Sequence, residues 1–153
     1  LEIDDMTRIR PMTTIMCSMV ASGIFLLASI QSQAAEEDIH SSPPASFKKV
    51  STLVKLPEYL PGMGTLYVDP KTLPVGPFLG YDKAGRLVNV IYMVPLKQME
   101  DHKAFTNLGS VASGLRINHT DIEFNPGHPG VEEPHYHVTE WLISHAEHEE
   151  RMK

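Results

Sequence analysis

The stretch "PFLGYDKAGRLVNVIYMV", Pro77 to Val94, decides the fold. "PFLGY" and "RLVNVIYMV" are short runs rich in aromatic and β-branched residues, which is strand composition. Between them, "DKAG" is a turn that ends in glycine, so the segment reads as a hairpin. Upstream, "GTLYVD" reads as another strand, and Asp69-Pro70 with Pro74 marks a loop. Downstream, "PLKQMEDHKAFTNL" (Pro95 to Leu108) predicts a helix. Pro95 suits the first helical position, and Leu96, Met99 and Lys103 share a face with Phe105 nearby. "GSVASG" ends it. "LRINHTDIEFN" (Leu115 to Asn125) and "HYHVTEWLIS" (His135 to Ser144) read as two more strands, and "HAEHEERMK" as a charged tail with a frayed helical end. The expectation is α+β, a mostly antiparallel sheet with one or two helices, preceded by a signal peptide.

Several features bound the function. The chain has 153 residues, one domain's worth, and a formal net charge of -6. That balance argues against a nucleic-acid partner, which needs a basic patch to displace counterions. Arg8 and Arg10, the apolar run Ile15 to Ile30 and the small residues of "SQA" (Ser32 to Ala34) have the layout of a cleaved leader. The run is short against the roughly 20 residues of a membrane span. Residues 1–34 are therefore expected to be a signal peptide with an upstream extension, translation starting at Met6 or Met12. A flexible linker is expected over 35–46, one domain over 47–144 and the tail over 145–153. The expected location is periplasmic or secreted, with membrane contact only through the N-terminal segment if it stays uncleaved. Cys17, the one cysteine, falls inside the leader. A mature chain without cysteine has no disulfides, and a metal site in it must use His, Asp and Glu.

"GHPGVEEPHYHVTEW", Gly127 to Trp141, holds three of the eight histidines. Strand side chains alternate. On the first strand of this region Ile117, His119, Asp121 and Glu123 share one face, and Asn118, Thr120, Ile122 and Phe124 the other. On the second, His135, His137, Thr139 and Trp141 oppose Tyr136, Val138 and Leu142. If the apolar faces both pack on the core, His119, Asp121 and Glu123 share a sheet face with His135 and His137. Pro126, Pro129 and Pro134 stiffen the connector, and Gly127 and Gly130 permit turns that can aim His128 back at the strand. Converging imidazoles bind divalent metals. His119, His128, His135 and His137 are the candidate ligands, with zinc or copper the ions that imidazole favours. Asp121, Glu123 and Glu140 are candidate partners that fix the imidazole tautomer. The alternative is a solvated or hydrogen-bonded histidine face. His102 reads as solvated, His145 and His148 as a solvated tail with chelation the alternative, and His40 belongs to the linker. Glu140 after His-x-His suggests a cupin, but only two residues separate it from His137, and an unbroken strand points it to the other face. No nucleophile elbow, phosphate loop or dinucleotide fingerprint is present.

The chain resembles a family of small exported prokaryotic proteins of unknown function. "LPEYLPGMGTLYVDP", "GPFLGYDKAGRLVNVIYMV" and "HTDIEFNPGHPGVEEPHYHV" carry the resemblance, which spans Leu56 to Trp141. The family runs Pro-Gly-Met-Gly, then Pro-Gly-His-Pro-Gly, then Pro-His-Tyr-Asp-x-His. The resemblance implies an α+β domain that assembles into homo-oligomers, with family histidines at His119, His128 and His135. Here His137 stands where the family has Asp, and Thr139 where it has His. Three functions stay open: an exported metal-binding domain, a metal-dependent hydrolase or cupin-like enzyme using Glu123 or Asp121 as base, and a non-catalytic envelope interaction protein.

Overall fold

The hairpin lies in the interior of a six-stranded sheet. The structure, a computed structural model, describes residues 38–153. The expected leader and the first residues of the expected linker lie outside the described residues. The strands are β1 (Lys48–Lys49), β2 (Thr65–Val68), β3 (Phe78–Tyr81), β4 (Leu87–Pro95), β5 (His119–Asn125) and β6 (His135–Trp141). Their order is β1-β2-β3-β4-β6-β5, and every neighbouring pair is antiparallel. Two short helices, α1 (Leu96–Glu100) and α2 (His145–Arg151), complete an α+β fold.

Asp82 builds the β3–β4 turn. Its Oδ1 accepts from the N–H groups of Ala84 and Arg86, both at 2.9 Å, and Gly85 takes a φ of 75°. β4 is buried along nearly its whole length. A strand covered on both faces loses the polar alternation, which is why "LVNVIYMV" is apolar almost throughout. One face of the sheet packs Leu79, Tyr81, Leu87, Val90 and Tyr92. The other packs Val68, Phe78, Ile91 and Met93 beneath Val50, Met63 and Val131. Burying each such side chain contributes about 1.5–3 kcal/mol.

Four expectations shift. The helix over Pro95 to Leu108 is only five residues long, Leu96–Glu100. His102 and Asn107 each take a φ of 55°, a left-handed backbone through which no α-helix continues. Met99 stays exposed, so the stripe never gains the packed face on which a short helix depends. The two later strands are shorter than expected, β5 starting at His119 and β6 stopping at Trp141. The tail is not frayed. Ser144 caps α2 by accepting from the Glu147 N–H, and the Glu147 carboxylate accepts from the Ser144 N–H in return. Met152 then packs, 2% exposed, with Val88, Trp141 and Ile143. Finally, Ile39 and His40, within the expected linker, bond to the sheet. The Tyr81 hydroxyl donates to the Ile39 carbonyl at 2.7 Å, and the Leu87 N–H to that of His40 at 2.8 Å.

Candidate metal centre

β5 and β6 pair so that Asn125 faces His135, Glu123 faces His137, Asp121 faces Thr139 and His119 faces Trp141. Directly opposed residues share a face, so these side chains lie on one side of the sheet. Burial is the reverse of the expected pattern. Along β6, His135, His137, Thr139 and Trp141 are buried, while Tyr136, Val138 and Glu140 are half-buried. On β5, Ile122 and Phe124 are 67% and 55% exposed. The reason lies one strand over. His137 pairs with Met93 and Thr139 with Ile91, so the histidine face continues into one of the two apolar cores.

The connector brings His128 back over β6. His128-Pro129-Gly130-Val131 is a closed turn, with reciprocal 2.9 Å bonds between the backbones of His128 and Val131. Pro129 and Gly130, the latter at φ 95°, are the residue pair a type II turn requires. Gly127 has a φ of 123°, and a Cβ there would lie 2.4 Å from the Glu132 carbonyl oxygen. Its N–H donates to Asn125 Oδ1 at 2.8 Å. The His128 ring centre thereby sits 4.9 Å from that of His135 and 5.6 Å from that of His137.

Nitrogens of His128, His135 and His137 all lie within 4.8 Å of one another. His135 Nδ1 is 2.7 Å from the Glu133 carbonyl oxygen. A carbonyl only accepts, so the proton sits on Nδ1 and Nε2 presents its lone pair. The Pro129 carbonyl holds Nδ1 of His128 in the same way at 3.1 Å. The Nε2 atoms of His135 and His137 are 3.0 Å apart, and in that bond His137 donates. Burial pushes the His137 imidazole down to about 4, and the neighbouring His135 and His128 rings act in the same direction. The ring is neutral at pH 7, the form that ligates a metal. This buried cluster of three imidazoles is able to coordinate a divalent ion.

The other candidates lie elsewhere. His119 stands at the far end of β5, its ring 6.1 Å from Trp141 and 6.4 Å from His145. Asp121 accepts from Trp141 Nε1 at 2.8 Å at that same end. Glu123 is exposed beside His137. Glu140 faces Val90 and Thr120 on the opposite side of the sheet, where burial raises its carboxyl. No bulge in β6 turns it back toward His-x-His, and the sheet keeps β1 and β5 as its edges. The groups that orient the imidazoles are therefore two backbone carbonyls, Glu133 and Pro129. No pattern of side chains announces those. The apolar wall of the site was also missed, although "STLVKLPEYLPGM" (Ser51 to Met63) signals it through aliphatic residues spaced by prolines.

No family model matches the chain, and no curated protein does. A solved structure does: the crystal structure of the hypothetical protein TTHB210 from Thermus thermophilus is similar at 44% identity and a TM-score of 0.58. The match covers 63% of this chain and 93% of that one. Identity at that level over nearly the whole of a relative reflects common descent, so the chain belongs to the same family as that hypothetical protein, a family without an assigned function.

Proposed function

We propose that this protein is an exported domain that binds one divalent metal, zinc or copper, through His128, His135 and His137. The observation that carries the proposal is the convergence of three imidazole nitrogens, two of the rings having Nδ1 tied to a backbone carbonyl. Tetrahedral zinc at about 2.0–2.1 Å from each nitrogen wants its ligands roughly 3.3 Å apart. The present spacing would reach that with small side-chain adjustments, the His137 ring shifting its proton from Nε2 to Nδ1 so that both Nε2 lone pairs face the ion. Export rests on the leader-like residues 1–34 and the lack of cysteine beyond Cys17. The test is metal analysis and zinc titration of protein purified without a nickel column. One ion per chain is expected, and its loss in His135→Ala. Equally poor binding by wild type and His135→Ala overturns the proposal.

A second reading, a metal-dependent hydrolase, is favoured by the count of three protein ligands. That count leaves a fourth position for water, as catalytic zinc sites do. Glu123, opposite His137 on the same face, is the base within reach. Zinc-dependent hydrolysis of activated esters that disappears in Glu123→Gln supports it, and its absence leaves a binding protein. Self-association, which the family resemblance implies, has a surface at the edge strand β5, where Ile122 and Phe124 are exposed. A light-scattering mass above the monomer's, insensitive to chelator, is the expected result.

A further inference from the structure

We propose that the cavity beside the histidine cluster binds a medium-chain carboxylate. The alkyl chain lies in the cavity and the carboxylate sits on the metal held by His128, His135 and His137. The placement of the head group rests on the metal-binding reading above.

The cavity has a volume of about 380 Å³, within the range of roughly 300–1,000 Å³ seen for small-molecule sites. Its floor is the apolar sheet face around Val68, Phe78, Ile91 and Met93, and Val54 and Val131 help to wall it. Among the described residues twenty line it, and of these only Asn125, His128 and His137 carry polar side chains. Two of those three belong to the candidate metal cluster. The cavity is thus amphiphilic in its lining: apolar side chains almost throughout, with two coordinating imidazoles among them. Leu53 and Leu73 line it and are also 42% and 46% exposed, which places an apolar rim at the solvent.

The chemistry of the lining selects the ligand class. Among the described residues no lysine or arginine lines the cavity, so an anion finds its countercharge in a cation on the imidazoles. Three neutral imidazoles leave both charges of a divalent ion uncompensated. A carboxylate supplies a negative charge and an oxygen for the open coordination position. A ligand polar along its length finds no partners on these walls, and burying its unpaired polar groups is penalised. An alkyl chain instead gains about fourfold in affinity for each methylene buried, from about 0.8 kcal/mol per CH₂.

The experiment is calorimetric titration of octanoate, decanoate and methyl decanoate into zinc-loaded protein, and of decanoate into chelator-treated protein. Zinc itself is titrated separately into wild type and into Leu66→Trp, a substitution that fills the cavity on β2, away from the imidazoles. Decanoate is expected to bind zinc-loaded protein roughly 15-fold more tightly than octanoate. Methyl decanoate, and decanoate on chelated protein, are each expected to be at least about tenfold weaker. Leu66→Trp is expected to keep zinc and lose decanoate. Zinc binding without decanoate binding, without chain-length dependence, or with the methyl ester equally tight overturns this inference and leaves the metal reading standing. Failure of zinc to bind overturns the metal reading by its own titration, and equal decanoate binding with and without chelator overturns the carboxylate's placement.

Discussion

At His135 a single 2.7 Å bond to the Glu133 carbonyl fixes which nitrogen is offered, and the ring is fully buried. His137 brings its own Nε2 to the same place from two residues on, there donating to His135, because alternation returns a strand side chain to the same face. Their partner His128 has no strand to hold it and depends on Gly127. Gly127→Ala is expected to weaken zinc binding about tenfold or more while melting stays within a few degrees of wild type. The new methyl would meet the Glu132 carbonyl and force the turn to move. Calorimetry and thermal melting of the same sample check both halves. The histidines were legible in the sequence because His-x-His and Pro-Gly-His-Pro-Gly combine alternation with a stiff turn. Their orienting groups were not, since a carbonyl belongs to every residue alike. Asp121 and Glu140 illustrate the converse: attractive side chains whose register sends one to Trp141 and the other through the sheet.

Among the elements, the β3–β4 hairpin was readable because its turn residues do their own hydrogen bonding. The long helix was misread because a stripe of three residues says nothing about whether anything covers it. α2 was read only as a frayed helical end, although Ser144 and Glu147 stand at capping-box spacing, since charge density alone reads as tail. Asp82 ties these elements together. Its Oδ2 accepts from Arg151 Nη2 at 2.6 Å and from Arg86 Nε at 3.1 Å, joining the hairpin turn to the end of α2. Burial alone would raise its carboxyl, but the Arg86 N–H and the two guanidinium groups outweigh that and hold it below its ordinary value of 3.8. A carboxyl lowered in the folded state stabilises fully above 3.8, and the contribution is lost as pH falls through the lower folded value. Asp82→Asn is therefore expected to cost about 2 kcal/mol at neutral pH. The gap from wild type should close as pH falls below the ordinary carboxylate range. Urea denaturation across a pH series measures it, and a gap that widens in acid contradicts the assignment.

Across the whole molecule, one sheet face carries two separate groups of rings. His128, His135 and His137 gather at one end, and His119, His145 and His148 surround Trp141 at the other. The sequence could place His119 on the correct face, but not at the correct end, because alternation fixes side and says nothing of register. His119→Ala is accordingly expected to leave zinc affinity within about twofold of wild type, against a loss of at least about 100-fold for His137→Ala. Equal losses would mean that the face acts as one site. The same strand order leaves the sheet's histidine face under Val50, Met63 and Val131, a cover supplied by loops outside β6. For an ion seated on His135, that burial dictates how it departs. The cavity that His128 and His137 line reaches solvent at Leu53 and Leu73, so an ion and whatever fills that cavity would share one way out. Stripping by a competing chelator is therefore expected to slow when decanoate is present, and an unchanged rate would contradict the shared route. On the metal-binding proposal, the residence time of the ion would thus be set by the occupant of its neighbouring cavity.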